Sequence, residues 1–76
     1  MKILGCFDEN TGRTKGKNLG LITNVMSAYD CQLKCQETNE CEYFVYKESH
    51  KECVLTSIGA EPKSDKVGLT FGPKYC

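Results

Sequence analysis

Ser27-Ala-Tyr-Asp-Cys31-Gln-Leu-Lys-Cys35-Gln-Glu-Thr-Asn-Glu-Cys41-Glu-Tyr-Phe44-Val-Tyr46-Lys47 is the stretch on which the reading of the fold turns. Ser27 sits where an N-cap should be, because its hydroxyl can accept from a backbone N–H of the first turn. Asp30 follows three residues later, facing the positive end of the helix dipole. A helix is therefore predicted over residues 28–37, with Asn39 as its stop. Ala28, Cys31 and Cys35 recur at three- and four-residue spacing and share one face, while Tyr29 and Leu33 lie on a neighbouring one. Beyond Cys41 the residues become aromatic and β-branched, which predicts a strand over 42–47. Period two then turns Phe44 and Tyr46 to one side and Tyr43, Val45 and Lys47 to the other.

Downstream, the polar residues 48–51 predict a hairpin turn into a second strand, 52–56, with Cys53 and Leu55 on a common side. Residues 57–66 contain Gly59, Pro62 and several charges and read as a loop. Val67, Leu69 and Phe71 then alternate as a final strand over 67–71. Upstream, residues 8–17 are polar and punctuated by Gly12 and Gly16, which predicts a surface loop. Residues 19–26 return to apolar and β-branched side chains, as in an extended segment packed on one side. There is no internal repeat and no low-complexity tract.

A chain of 76 residues makes one domain, 1–76, too small for its hydrophobic core alone to supply more than a few kcal/mol of net stability. The reinforcement on offer is six cysteines, Cys6, Cys31, Cys35, Cys41, Cys53 and Cys76. Spacing alone does not choose their pairing. Helical geometry narrows it, since Cys31 and Cys35 can each staple the helix to something beneath it. Cys35 with Cys41 closes a short loop, Cys31 reaches the hairpin at Cys53, and Cys6 with Cys76 ties the ends: a nested scheme. A zinc site built on Cys31, Cys35, Cys41 and Cys53, with or without His50, fits less well. Structural zinc ligands come in close pairs separated by about two to four residues, and only Cys31 and Cys35 are so placed. His50 reads as a solvated turn residue. No odd cysteine stands beside the single histidine to act as a nucleophile, and carboxylates such as Asp8, Glu9, Glu40 and Glu42 lie in polar local sequence. No catalytic, cofactor or metal site is expected.

Ten basic residues balance ten acidic ones, so no net field gathers nucleic acid or anionic lipid. No apolar run approaches the roughly 20 residues that cross a bilayer. Residues 1–4 lack the apolar region of a secretory leader, although the cysteines call for an oxidising compartment. The chain is expected to be a cysteine-bounded module, 6–76, of a larger secreted protein.

The helix with Cys31-Gln32 and Cys35, then Cys41-Glu-Tyr-Phe44-Val-Tyr46, Cys53-Val-Leu55 and Gly72-Pro-Lys-Tyr-Cys76, resembles the PAN/apple domain family. Gly16-Lys-Asn-Leu19 fits as well, and the likeness runs over nearly the whole chain. Among the family's branches it is most similar to the apple modules of apicomplexan microneme adhesins, rather than the longer ones of coagulation-type zymogens. The resemblance implies an α+β fold: a small disulfide-rich domain with a five-stranded antiparallel sheet, one α-helix packed across it, and the nested bridges. It also implies function by recognition, as one unit of a tandem array with sister modules. The expected ligand is a protein or a cell-surface glycan, and the expected setting is extracellular, after storage in a secretory organelle. A structural role, spacing neighbours or binding a partner subunit, is the alternative.

Two surfaces are candidates for the ligand. One is the basic loop of Arg13, Lys15 and Lys17, suited to an acidic glycan or protein patch. The other is the outward side of the aromatic strand, Tyr43 with Val45 and Lys47, where a ring beside a polar chain can stack on a sugar or anchor a protein.

Overall fold

The computed structural model describes residues 5–75. Ser27 opens the single α-helix among them, α1 (Ala28–Glu37), with extended backbone and its hydroxyl accepting from the Asp30 N–H at 3.2 Å. At the other end the Thr38 N–H closes the last turn on the Cys35 carbonyl. The buried face of α1 is Cys31, Gln32 and Cys35.

Seven strands accompany it among the described residues: β1 (Asp8–Glu9), β2 (Gly12–Arg13), β3 (Asn18–Ile22), β4 (Tyr43–Lys47), β5 (Glu52–Thr56), β6 (Pro62–Lys63) and β7 (Leu69–Pro73). Five of them form an antiparallel sheet in the order β1-β7-β4-β5-β3, and β2 with β6 makes a separate two-stranded ribbon. β4, the aromatic strand, lies at the centre, paired with β5 from Tyr43↔Thr56 to Lys47↔Glu52 and with β7 from Tyr43↔Pro73 to Lys47↔Leu69. Helix α1 packs across β4, β5 and β7. Between helix and sheet lie Phe44, Tyr46, Leu55 and Val25 with the four cysteines of the two inner bridges.

Cys31 is bonded to Cys53 (Cα–Cα 5.4 Å) and Cys35 to Cys41 (Cα–Cα 5.2 Å), and all four are fully buried. The first pins the helix to β5, and the second fixes the chain leaving the helix before it enters β4. Cys6 is disulfide-bonded too. The pairing expected for it involves Cys76, which lies outside the described residues.

Four stretches depart from the sequence reading. The last strand begins at Leu69 rather than 67, because Gly68 takes φ +87° and the Leu69 N–H closes a turn on the Lys66 carbonyl. Val67 is left at the tip of that turn, 88% exposed. The strand then runs on to Pro73, whose missing N–H costs little because β1 ends its pairing at Phe71. The extended segment 19–26 leaves the sheet after Ile22, turning at Asn24 (φ +60°) so that Val25 enters the core. The polar loop 8–17 holds β1 and β2 and the loop 57–66 holds β6, whose pairing uses backbone groups that most side chains allow.

Gln32 clamps the two chain ends to the helix. Its side chain is fully buried. Its Oε1 accepts from the Gly5 N–H at 2.7 Å, and its Nε2 donates to the carbonyls of Gly5 at 3.2 Å and Pro73 at 2.9 Å. Replacing Gln32 by methionine keeps length and bulk but strands these backbone groups, so a loss of about 2 kcal/mol is expected. A urea titration reads it, and an unchanged midpoint would show that the clamp is not energetically significant.

Candidate binding surface

The basic loop connects β2 to β3 at the end of the sheet where β4 begins. Its three cations are not equivalent. The Arg13 guanidinium folds back to donate to the carbonyls of Lys15 and Gly16, both at 3.2 Å, and Lys15 faces Glu61 at 3.5 Å. Lys17 is exposed, with its backbone bonded to Ser57 in both directions. Arg13 thus shapes the loop, and Lys17 is the cation it presents.

The outward side of β4 is covered along most of its length. Val45 is only 6% exposed, because Ala60 and Phe71 close over it in a second small core with Tyr43, Val54 and Leu69. Tyr43 is half-buried and stacks on Phe71 with ring centroids 5.4 Å apart. Alternation along β4 gave the correct faces; what it lacked was the cover supplied by residues 60 and 71, remote in sequence. Lys47 remains exposed at the far end. Tyr43 still reaches a shallow depression of about 230 Å³, shared with Glu42, Pro73, Lys74 and the exposed Tyr75. His50 lies in the 3₁₀ turn between β4 and β5, exposed, its Nδ1 2.8 Å from the Ser49 hydroxyl.

Deeper concavities lie at the opposite end of the sheet, around the start of α1. One cleft, of about 310 Å³, is walled by Phe7, Met26 and Tyr29 and edged by Glu9, Glu48 and Lys51. Phe7 meets Tyr29 edge-on at 5.0 Å and Phe44 at 5.6 Å, so the exposed ring of Tyr29 is tied through Phe7 to the core. A second cleft, of about 390 Å³, lies along the other flank of α1 between Ile22, Leu33 and the turn at Asn24. Met26, 67% exposed, stands between them and lines both. None of these residues emerged from the sequence as a site. The available signal was Tyr29, placed by helical spacing off the Ala28–Cys31–Cys35 face, next to a methionine at the cap.

Tyr46 contributes to the wall of the cleft edged by Glu9 and Glu48. It is 3% exposed, and its hydroxyl donates to the Val25 carbonyl at 2.6 Å. Burial, then the fields of Glu48 and Asp30, raise this phenol above its ordinary value of 10.0. The native state therefore holds the proton to higher pH than the unfolded chain does. The resulting stability is complete below the ordinary value of 10.0 and is lost as pH rises through the raised native one. Tyr46→Phe is expected to cost about 1 kcal/mol at neutral pH and to flatten this alkaline loss. Denaturation midpoints at neutral and alkaline pH measure both, and parallel pH profiles for the two proteins would refute the assignment.

A family model described as the PAN domain matches residues 6–76. The chain belongs to the PAN domain family. Solved structures agree in fold. The two N-terminal apple domains of Toxoplasma gondii microneme protein 4 superpose with a TM-score of 0.76 at 25% identity, over 93% of this chain and 46% of that one. A PAN module from Eimeria tenella gives 0.66 at 24% identity, over 96% of this chain and 83% of that one. This PAN domain thus spans about half of the Toxoplasma chain, which holds two such domains. Among curated proteins none matches its sequence. The sheet with one crossing helix is the fold shared with these structures.

Proposed function

We propose that this PAN domain is an extracellular recognition module that binds a protein or a carbohydrate in cell adhesion, as one unit of a tandem array. It recognises rather than catalyses. The observation that carries this reading is a set of large side chains, Met26, Tyr29 and Tyr75, exposed on a core clamped by disulfides. Side chains held this way lose little freedom on binding, so contact energy is not consumed in ordering the site. The paired apple domains of the Toxoplasma protein support the array, since linked modules gain avidity without new contacts. The bridges and the family support an oxidising, secreted setting, with storage in a secretory organelle before release. Lys17 with Arg13 and Lys15, and Tyr43 with Lys47, are secondary candidates for the ligand surface.

The test is binding of the oxidised chain to intact host cells and to a glycan array, with the reduced chain as control. Saturable binding that is lost on reduction supports the reading. Silence on both sinks it in favour of a structural role within an assembly.

A further inference from the structure

We infer that the cleft between Phe7, Met26 and Tyr29 receives a cationic side chain, lysine or arginine, carried by a protein partner. The inference rests on the recognition reading and names the chemistry of the group recognised.

Two kinds of surface meet there. The walls are apolar and aromatic: Tyr29 is 54% and Met26 67% exposed, and Phe7 braces Tyr29 from behind. The edge is acidic. Glu9 at the end of β1 and Glu48 after β4 line this cleft and also the adjoining depression of about 200 Å³, so both carboxylates stand on the divide between the two. Among the described residues neither forms an ion pair. Lys51 is the single basic residue lining the cleft, which leaves its charge negative. The field of Glu48 also reaches the buried Tyr46 hydroxyl behind the cleft.

Each alternative guest conflicts with one of these features. An anionic group is repelled by Glu9 and Glu48. A purely apolar side chain would strip water from both carboxylates and return no partner. A lysine or arginine satisfies both kinds of surface at once. Its aliphatic stem lies along Met26 and Phe7, its charged head faces the carboxylates, and the Tyr29 ring adds a cation–π contact. The complementarity is local, because the chain as a whole carries no net charge.

The experiment is an amide NMR titration of the intact oxidised chain with three blocked tripeptides. Their central residue is arginine, citrulline (the same shape without charge) or glutamate, between leucines. The arginine peptide is expected to shift the signals of Tyr29, Glu48, Lys51 and Thr70 saturably, and the other two to leave them in place. The double variant E9Q/E48Q keeps side-chain length, so its spectrum should stay dispersed while the affinity falls about tenfold, and added salt should weaken the wild type alike. Y29A should weaken binding while preserving its salt dependence. Equal binding of the citrulline peptide overturns the inference. So does a response mapped to other residues, no saturable response to arginine, or a sugar occupying this cleft. If cells bind the wild type and E9Q/E48Q equally, the cleft fails and the recognition reading stands. If the peptide binds while cells and glycans do not, the recognition reading fails and the cleft stands.

Discussion

Alanine in place of both Cys31 and Cys53 is expected to lower the unfolding free energy by about 3 kcal/mol, against about 2 for the pair Cys35 and Cys41. The ordering follows from loop length. The first bridge spans 22 residues and the second 6, and a longer closed loop removes more freedom from the unfolded chain. Burial does not separate the two pairs, because all four cysteines are fully enclosed and alanine leaves unfilled volume at either bridge. A domain of this size has a total stability on the order of 5 kcal/mol, so the first variant should stay folded in water with about 2 kcal/mol in hand and unfold at a much lower urea concentration. Urea midpoints of the two variants decide the matter. A Cys35/Cys41 variant less stable than the Cys31/Cys53 one would show that native packing around the short bridge outweighs chain entropy.

Gly72→Ala should cost about as much, roughly 3 kcal/mol, by overpacking. The reason is a close approach rather than an unusual backbone angle. A Cβ at position 72 would lie 2.6 and 2.7 Å from two ring carbons of Phe44 and 3.1 Å from Phe7. Phe44 is fully buried in the centre of the sheet, paired across from Gly72, and cannot swing away without opening the core. Shrinking the ring should recover part of the loss: Gly72→Ala combined with Phe44→Leu is expected to be more stable than the sum of the two single changes predicts. Strict additivity in this double-mutant cycle would contradict the steric account.

These two sites show where a sequence of this kind is legible. Ser27, Asp30 and the spacing of Ala28, Cys31 and Cys35 define a helix from neighbours alone, and α1 occupies residues 28–37. The aromatic run and the polar turn define β4 and β5 for the same reason. Gly72 carries no such local signal, since its constraint comes from Phe44, on another strand. Val45 repeats the lesson: alternation assigns its side of the sheet, but its burial depends on Ala60 and Phe71. The short strands β1, β2 and β6 are held by backbone pairing across long loops and leave no periodicity to read. The cleft is harder still. Phe7, Met26 with Tyr29, and Glu48 come from three places in the chain, and only the folded arrangement puts an acidic edge beside an aromatic wall.

The glutamine clamp has a mechanical consequence. Gln32 holds Gly5 and Pro73 together, and one turn further along α1 the Gln36 amide donates to the Lys74 carbonyl at 2.9 Å. The chain therefore enters and leaves the fold at one corner, beside the helix. Tension pulling Gly5 away from Lys74 loads that corner first and reaches the β4–β5 hairpin only after the two amides give way. The sheet would thus keep its shape under any load that this corner can still bear.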